Sequence, residues 1–269
     1  MTMKTQQLSP KMFRIFLIVA ILLPSMGSAQ EWELVWADEF NGNGLPDTTR
    51  WTFEHGPPYK NNEKQFYAAK DTRFCRMEDG HLVIEARKEK REGADYTSAS
   101  IRTEGKKEFL YGRLEARLKM PKGRGTWPAF WTLGTNIDQV GWPDCGEIDI
   151  MEFVGYAPDT IHANVHTKAF NHMIGNNKGD DIEIDKPYKK FHVYAIEWYK
   201  DKIDFFVDDQ KYFTFKKHSD QMAEWPFDKP QFVIINLAIG GNLGGKKGID
   251  DSLFPHKYYI DYIRYYKQK

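Results

Sequence analysis

Within "GEIDIMEFVG", residues 146–155, three acids occupy six positions of an otherwise apolar stretch: Glu147, Asp149 and Glu152. Ile148, Ile150, Met151, Phe153 and Val154 around them are residues of a buried strand. Two carboxyl groups, one ionised and one protonated, can cleave a glycosidic bond: the first attacks carbon and the second protonates the leaving oxygen. In retaining hydrolysis they stand only about 5–5.5 Å apart across that bond. Like charges crowded into a partly apolar groove keep one proton bound near neutral pH, which supplies the mixed pair, with Asp149 as modulator. Acids also serve calcium sites and solvated edge strands. Apolar residues on both sides argue against an edge, and calcium prefers loop oxygens to strand carboxylates spaced this way.

A regular strand cannot position these groups. Side chains alternate, so Glu147 and Asp149 share a face while Glu152 falls on the other. A β-bulge near Ile150-Met151 inserts one residue and returns Glu152 to the face of the other two. The glutamates are then effectively four positions apart, about 13 Å between Cα atoms, a gap that two converging side chains partly close. The parity break is the expected aiming device.

The surrounding chain reads as strand after strand. "GRLEARLKM" (112–120) alternates Leu114, Ala116, Leu118 and Met120 inward with Arg113, Glu115, Arg117 and Lys119 outward. "HLVIEARK" (81–88), "FHVYAIEWY" (191–199) and "YYIDYIRYY" (258–266) read as strands, and Asp208-Asp209 marks a hairpin turn within 202–215. "FVIINLAIGG" (232–241) suits a strand covered on both faces. No long segment has a helical period, and no internal repeat or linker follows residue 30. The expectation is one all-β domain, a two-sheet antiparallel sandwich.

The start is read as an export signal. Lys4, Lys11 and Arg14 precede "IFLIVAILLP", and Gly27 and Ala29 supply small residues for cleavage. The apolar run is short for a membrane span. Residues 1–29 are therefore assigned to a secretory signal peptide and 30–269 to the exported domain, free of a membrane span. Without the signal the balance is 35 basic to 38 acidic residues, which gives no support for nucleic acid or anionic membrane as partner. Eight Trp and fourteen Tyr fit sugar rings as partners, beside their use in the core. Cys75 and Cys145 could pair after export, but two distant cysteines define no framework, and no Cys/His cluster has zinc spacing.

The carboxylate strand resembles that of glycoside hydrolase family 16 in its bulged E-x-D-x-x-E form. The resemblance extends over "LVWADEFNG" (34–42), "NNEKQFY" (61–67), "DGHLVIEARKE" (79–89), "YGRLEARLKMPKG" (111–123), "WPAFWTLG" (127–134), "AIGGN" (238–242) and "YIDYIRYY" (259–266), and is nearest to the laminarinase-like members. It implies a concanavalin A-like β-jelly-roll sandwich, an open cleft on the concave sheet, and endo-cleavage with retention. By motif Glu147 is the nucleophile, Glu152 the acid/base, and Asp149 the residue hydrogen-bonded to the nucleophile. His166 matches a histidine near the acid/base. Trp127, Trp131 and Trp142 match sugar platforms, and Asn62 and Arg102 match positions that bind sugar hydroxyls. Glu39, Gly80 and Asp261 match a structural calcium site on the convex side; no cofactor is implied for catalysis.

The loops "GPPYKNN" (56–62) and "ANVHTKAFNHMIGNNKG" (163–179) carry the selectivity of such a cleft. The expected substrate is a polysaccharide, first a β-1,3-glucan, laminarin or mixed-linkage. The alternative is an endo-β-1,4-galactosidase acting on poly-N-acetyllactosamine, mucin-type glycans or other galactans. A non-catalytic carbohydrate-binding sandwich would have no need of three convergent acids. The protein is expected to act as a monomer.

Overall fold

Alternation of apolar and polar residues turns nearly every long segment of this chain into strand. The structure, a computed structural model, describes residue 1, residues 31–57 and residues 60–269. All of the proposed signal segment beyond residue 1 lies outside the described residues. Trp32–Lys269 forms one compact unit.

Two large sheets face each other, antiparallel throughout. The eight-stranded sheet runs Gln210–Lys216, Lys202–Val207, His192–Trp198, Gly112–Lys119, His256–Gln268, His81–Ala86 and Cys75–Glu78, with Trp32–Asp38 also paired to His256–Gln268. The seven-stranded sheet runs Lys178–Glu183, Thr160–His166, Glu147–Phe153, Thr126–Gly134, Gln231–Ile239, Ser100–Arg102 and Thr52–Phe53. Adjacent strands distant in sequence give the jelly-roll sandwich expected from the sequence. The hairpin turn falls on Asp208-Asp209, between paired Val207 and Gln210.

Leu114, Ala116 and Leu118 of one sheet and Phe130, Ile148 and Ile235 of the other belong to one buried cluster. Each large side chain placed there contributes about 1.5–3 kcal/mol. A second, smaller cluster lies on the opposite face of the seven-stranded sheet: Ala129, Trp131, Leu133, Cys145, Phe232 and Ile234. Every residue of Gln231–Ile239 is buried, because one set of alternate residues feeds each cluster. The smaller cluster floors the cleft described below.

Two details depart from the simple pattern. Glu115, on an outward position, is buried: Arg113 Nε lies 2.9 Å from it and the Tyr266 hydroxyl donates to it at 3.0 Å. Cys75 and Cys145 belong to the two separate clusters and are free thiols, pushed by burial to pKa values of about 12 and about 11.

Candidate active site

The carboxylate strand, Glu147–Phe153, lies between Thr126–Gly134 and Thr160–His166. Its register slips on both sides. Asp149 opposes Trp131 while Met151 already opposes Phe130; on the other edge Asp149 opposes Asn164 and Glu152 opposes His162. One extra residue is present, and the bulge falls at Ile150-Met151. Both of those side chains are buried in the core between the sheets. Two successive residues point inward, so Glu152 emerges on the face of Glu147 and Asp149. All three acids line one cavity of about 360 Å³.

The two glutamates occupy different environments. Glu147 Oε2 accepts from Trp142 Nε1 at 2.6 Å, and His166 Nε2 lies 3.9 Å from Oε1. Glu152 accepts from Trp127 Nε1 on one oxygen and from Asn164 Nδ2 on the other, both at 2.9 Å. Burial raises the Glu152 pKa, an effect that these two donors only partly oppose. Burial, then the charges of Glu147 and Glu152, pushes Asp149 well above the usual carboxylate range.

His166 is the counter-ion. Its Nε2 stands 3.2 Å from Asp149 Oδ2, close enough for direct contact and for charge to act between them. Burial works against the imidazolium, but Asp149, Glu147 and Glu152 more than offset it and lift the pKa to about 9. Glu147, Asp149 and His166 are close enough to surround a cation. A protonated imidazole already supplies the positive charge and has no lone pair for a metal.

His166 sits beside Glu147 and Asp149 and within reach of the Glu152 charge, because register sets it directly opposite Glu147 and the bulge carries Glu152 onward to His162. Asp149 and Glu147 stand on one face beside the His166 cation, and the Asp149 carboxyl, raised in pKa, can hold the proton that two neighbouring carboxyl groups share.

Trp127, Trp131 and Trp142 all line the cavity. The indole N–H of Trp127 and of Trp142 is committed to an acid, so each ring also orients a carboxylate. Trp131 donates to Asn236 Oδ1 at 2.8 Å, and Lys60 Nζ lies 4.1 Å over its ring. Asn62 does not line the cavity. Asn61 and Asn62 both take left-handed backbone, a turn that brings Asn61 and Glu63 to the cleft and leaves Asn62 donating to Asn242 at 2.8 Å. Arg102 stands on the same face as Trp131, two strands away with Ile234 between them, but its Nε is 2.9 Å from Glu104 and it too stays outside the cavity.

The proposed calcium ligands are not gathered as a side-chain cage. The Glu39 carboxylate is held by both Arg264 Nε and Nη2, at 2.8 and 2.9 Å, and Asp261 is held by Arg117 Nη1 at 2.5 Å. Each acid is already neutralised by a guanidinium, and Gly80 offers only main-chain oxygen.

The sequence reading missed Asn164, Asn177, Glu63, Asn236, His172 and Met173. Asn164 had a signal: it shares strand parity with His166, so a cleft position for one implies a cleft position for the other. Asn236 shares parity with Ile234 and Ala238 in the same way. Glu63, His172 and Met173 reach the cavity from turns, where periodicity carries no information.

A two-sheet sandwich with two carboxyl groups in opposite environments across an apolar, indole-lined cleft is built to hydrolyse glycosidic bonds within a chain. The sequence model of glycosyl hydrolases family 16 matches residues 61–264, and the protein belongs to that family. It is an endo-acting glycoside hydrolase. A β-glucanase of Rhodothermus marinus is 43% identical over 99% of this chain and 98% of its own. The structure superposes on the laminarinase of the same organism with a TM-score of 0.86, at 44% identity, covering 89% of this chain and 99% of that one. A non-specific endo-β-1,3(4)-glucanase, solved with 1,3-β-D-cellotriosyl-glucose, gives the same score at 41% identity over 89% and 97% of the two chains. More distantly, a keratan-sulfate endo-1,4-β-galactosidase of Sphingobacterium multivorum is 29% identical over 88% of this chain and 56% of its own.

Proposed function

We propose that this protein is a retaining endo-β-1,3-glucanase that cleaves internal bonds of laminarin-type or mixed-linkage glucan. The observation that carries the mechanism is the bulge, which sets Glu147 and Glu152 on one face in unlike surroundings. Glu147, which accepts from the Trp142 N–H and lies beside the His166 cation, attacks the anomeric carbon. Glu152, buried and raised in pKa, gives its proton to the glycosidic oxygen as that bond breaks. A glycosyl ester on Glu147 results. Water then attacks the same carbon, Glu152 takes back the proton, and Glu147 leaves, so configuration is retained.

Likeness to the two glucanases and the laminarinase supports the β-1,3-glucan assignment over the galactosidase alternative. The basic, apolar and small-residue order of the first 29 residues supports export, and action as a monomer completes the proposal. Among the described residues no helix is long and apolar enough to cross a membrane. A calcium ion at Glu39, Gly80 and Asp261 would have a structural role only, relying on main-chain oxygen and on Asp261 once released by Arg117.

The mechanism is tested with Glu147→Ala. Laminarin turnover is expected to fall by about 1,000-fold or more with glucan binding kept. Added azide should restore cleavage of an activated aryl laminarioside and yield the α-glycosyl azide. Near-normal turnover without azide would remove Glu147 from the nucleophile role.

A further inference from the structure

Glu152 is fixed by a relay that begins outside the cleft. Asn164 Nδ2 donates to Glu152 Oε2 at 2.9 Å, and Asn164 Oδ1 in turn accepts from Asn177 Nδ2 at 2.7 Å. Asn177 immediately precedes the edge strand Lys178–Glu183, whose Gly179 pairs with Asn164. That glycine is required: a Cβ there would lie 2.2 Å from the Ala163 carbonyl oxygen and 2.6 Å from Asn164 Oδ1. The edge strand is thus pressed against the Asn164 amide and carries Asn177 into register with it.

An asparagine amide has a donor end and an acceptor end that occupy almost the same volume. Only its partners decide which end faces Glu152. Asn177 takes the acceptor end of Asn164, so the donor end is left for the carboxylate. Trp127 supplies a second donor to the other oxygen, and an indole N–H cannot accept. Protonated Glu152 therefore finds no acceptor in either of these two partners.

We infer that Asn177 is a positioning residue for Glu152: by fixing the orientation of the Asn164 amide it leaves the proton of the acid free for the glycosidic oxygen. The inference rests on the assignment of Glu152 as acid/base. With the amide reversed, the Glu152 hydroxyl would donate to Asn164 Oδ1. Its proton would then be held by the protein, and protonation of the leaving oxygen would first require that bond to break. The same two donors stabilise the anion that must form once the proton has gone, so Glu152 can serve as base in the second step.

The other charged groups around Glu152 are Glu147 and Asp149 on its own strand and His166 on the next; Lys60 and Glu63 line the same cavity. His162, directly opposite, is tied to Asp181 at 2.6 Å. None of these dictates which way the Asn164 amide lies.

Asn177→Asp reverses the relay without changing shape. A carboxylate only accepts, so Asn164 must turn its N–H toward residue 177 and its oxygen toward Glu152. Asn177→Ala merely frees the amide. The experiment measures wild-type turnover of laminarin first, and its absence would overturn the glucanase proposal rather than this one. Both variants are then compared by kcat/KM against pH on laminarin and on a dinitrophenyl β-laminarioligoside, whose leaving group needs no proton.

For Asn177→Asp we expect kcat/KM on laminarin to fall about 10- to 100-fold, the loss on the dinitrophenyl substrate to stay within about threefold, and the basic limb to move to higher pH. Asn177→Ala should fall between wild type and Asp. Melting temperatures close to wild type would show that the edge strand is intact. Equal losses on the two substrates, an Asp variant no worse than Ala, or an unmoved basic limb would each overturn the inference, because a merely structural Asn177 would tolerate the isosteric Asp best.

Discussion

The unlike chemistry of Glu147 and Glu152 arises from single neighbours. Glu147 has an indole donor and the His166 cation, while burial favours the neutral form of Glu152. The general acid works only while protonated, so activity falls as pH rises through the Glu152 pKa, which lies above the ordinary glutamate range. His166, charged up to a pKa of about 9, lowers the pKa of Glu152 and of Asp149. His166→Gln removes that charge, so the basic limb of the kcat/KM profile, which follows Glu152, should move to higher pH. A profile that stays in place while the rate changes would show that His166 acts by packing alone. The acids were legible in sequence because nothing else explains them in an apolar strand. The partner of His166 was not, since register across strands decides it and a single strand does not encode its register.

At the scale of the element, the bulge joins stability to function. Ile150 and Met151 both pack into the core, so the extra residue is anchored by apolar burial. The parity of the three acids therefore sufficed to locate the irregularity between the two sheet edges. Deleting Met151 keeps every carboxylate and restores regular alternation, which leaves Glu152 on the face of Glu147 and Asp149 but at an unbulged spacing with altered geometry. Turnover should fall by at least about 100-fold with the sandwich still formed, and the lost buried side chain should cost about 2–5 kcal/mol, read as a lower melting temperature. A fully active deletion variant would mean that the spacing set by the bulge is not what places Glu152 for the chemistry. Turn-borne residues were the ones that sequence did not reveal. The left-handed pair Asn61-Asn62 exchanges which asparagine reaches the cleft, and the short helix His172–Ile174 brings His172 and Met173 to its rim.

Across the whole molecule, strands fix the chemistry and turns at the cleft rim set which chain it acts on. The sandwich was readable because alternation and turn residues recur along most of the sequence, and because a two-sheet core accounts for both faces of Gln231–Ile239. Substrate choice lies with side chains such as Lys60, Glu63, His172 and Met173 around the indoles, whose positions depend on tertiary packing. The central claim is an endo-acting glucanase with Glu147 as nucleophile. Its most direct test is to size products over time from laminarin, mixed-linkage β-glucan, agarose-type galactan and poly-N-acetyllactosamine, with the wild type beside Glu147→Ala. Oligomers from the two glucans alone, and none from the variant, are the predicted result. Oligomers from the galactose-containing chains alone, or a variant as active as the wild type, would contradict it.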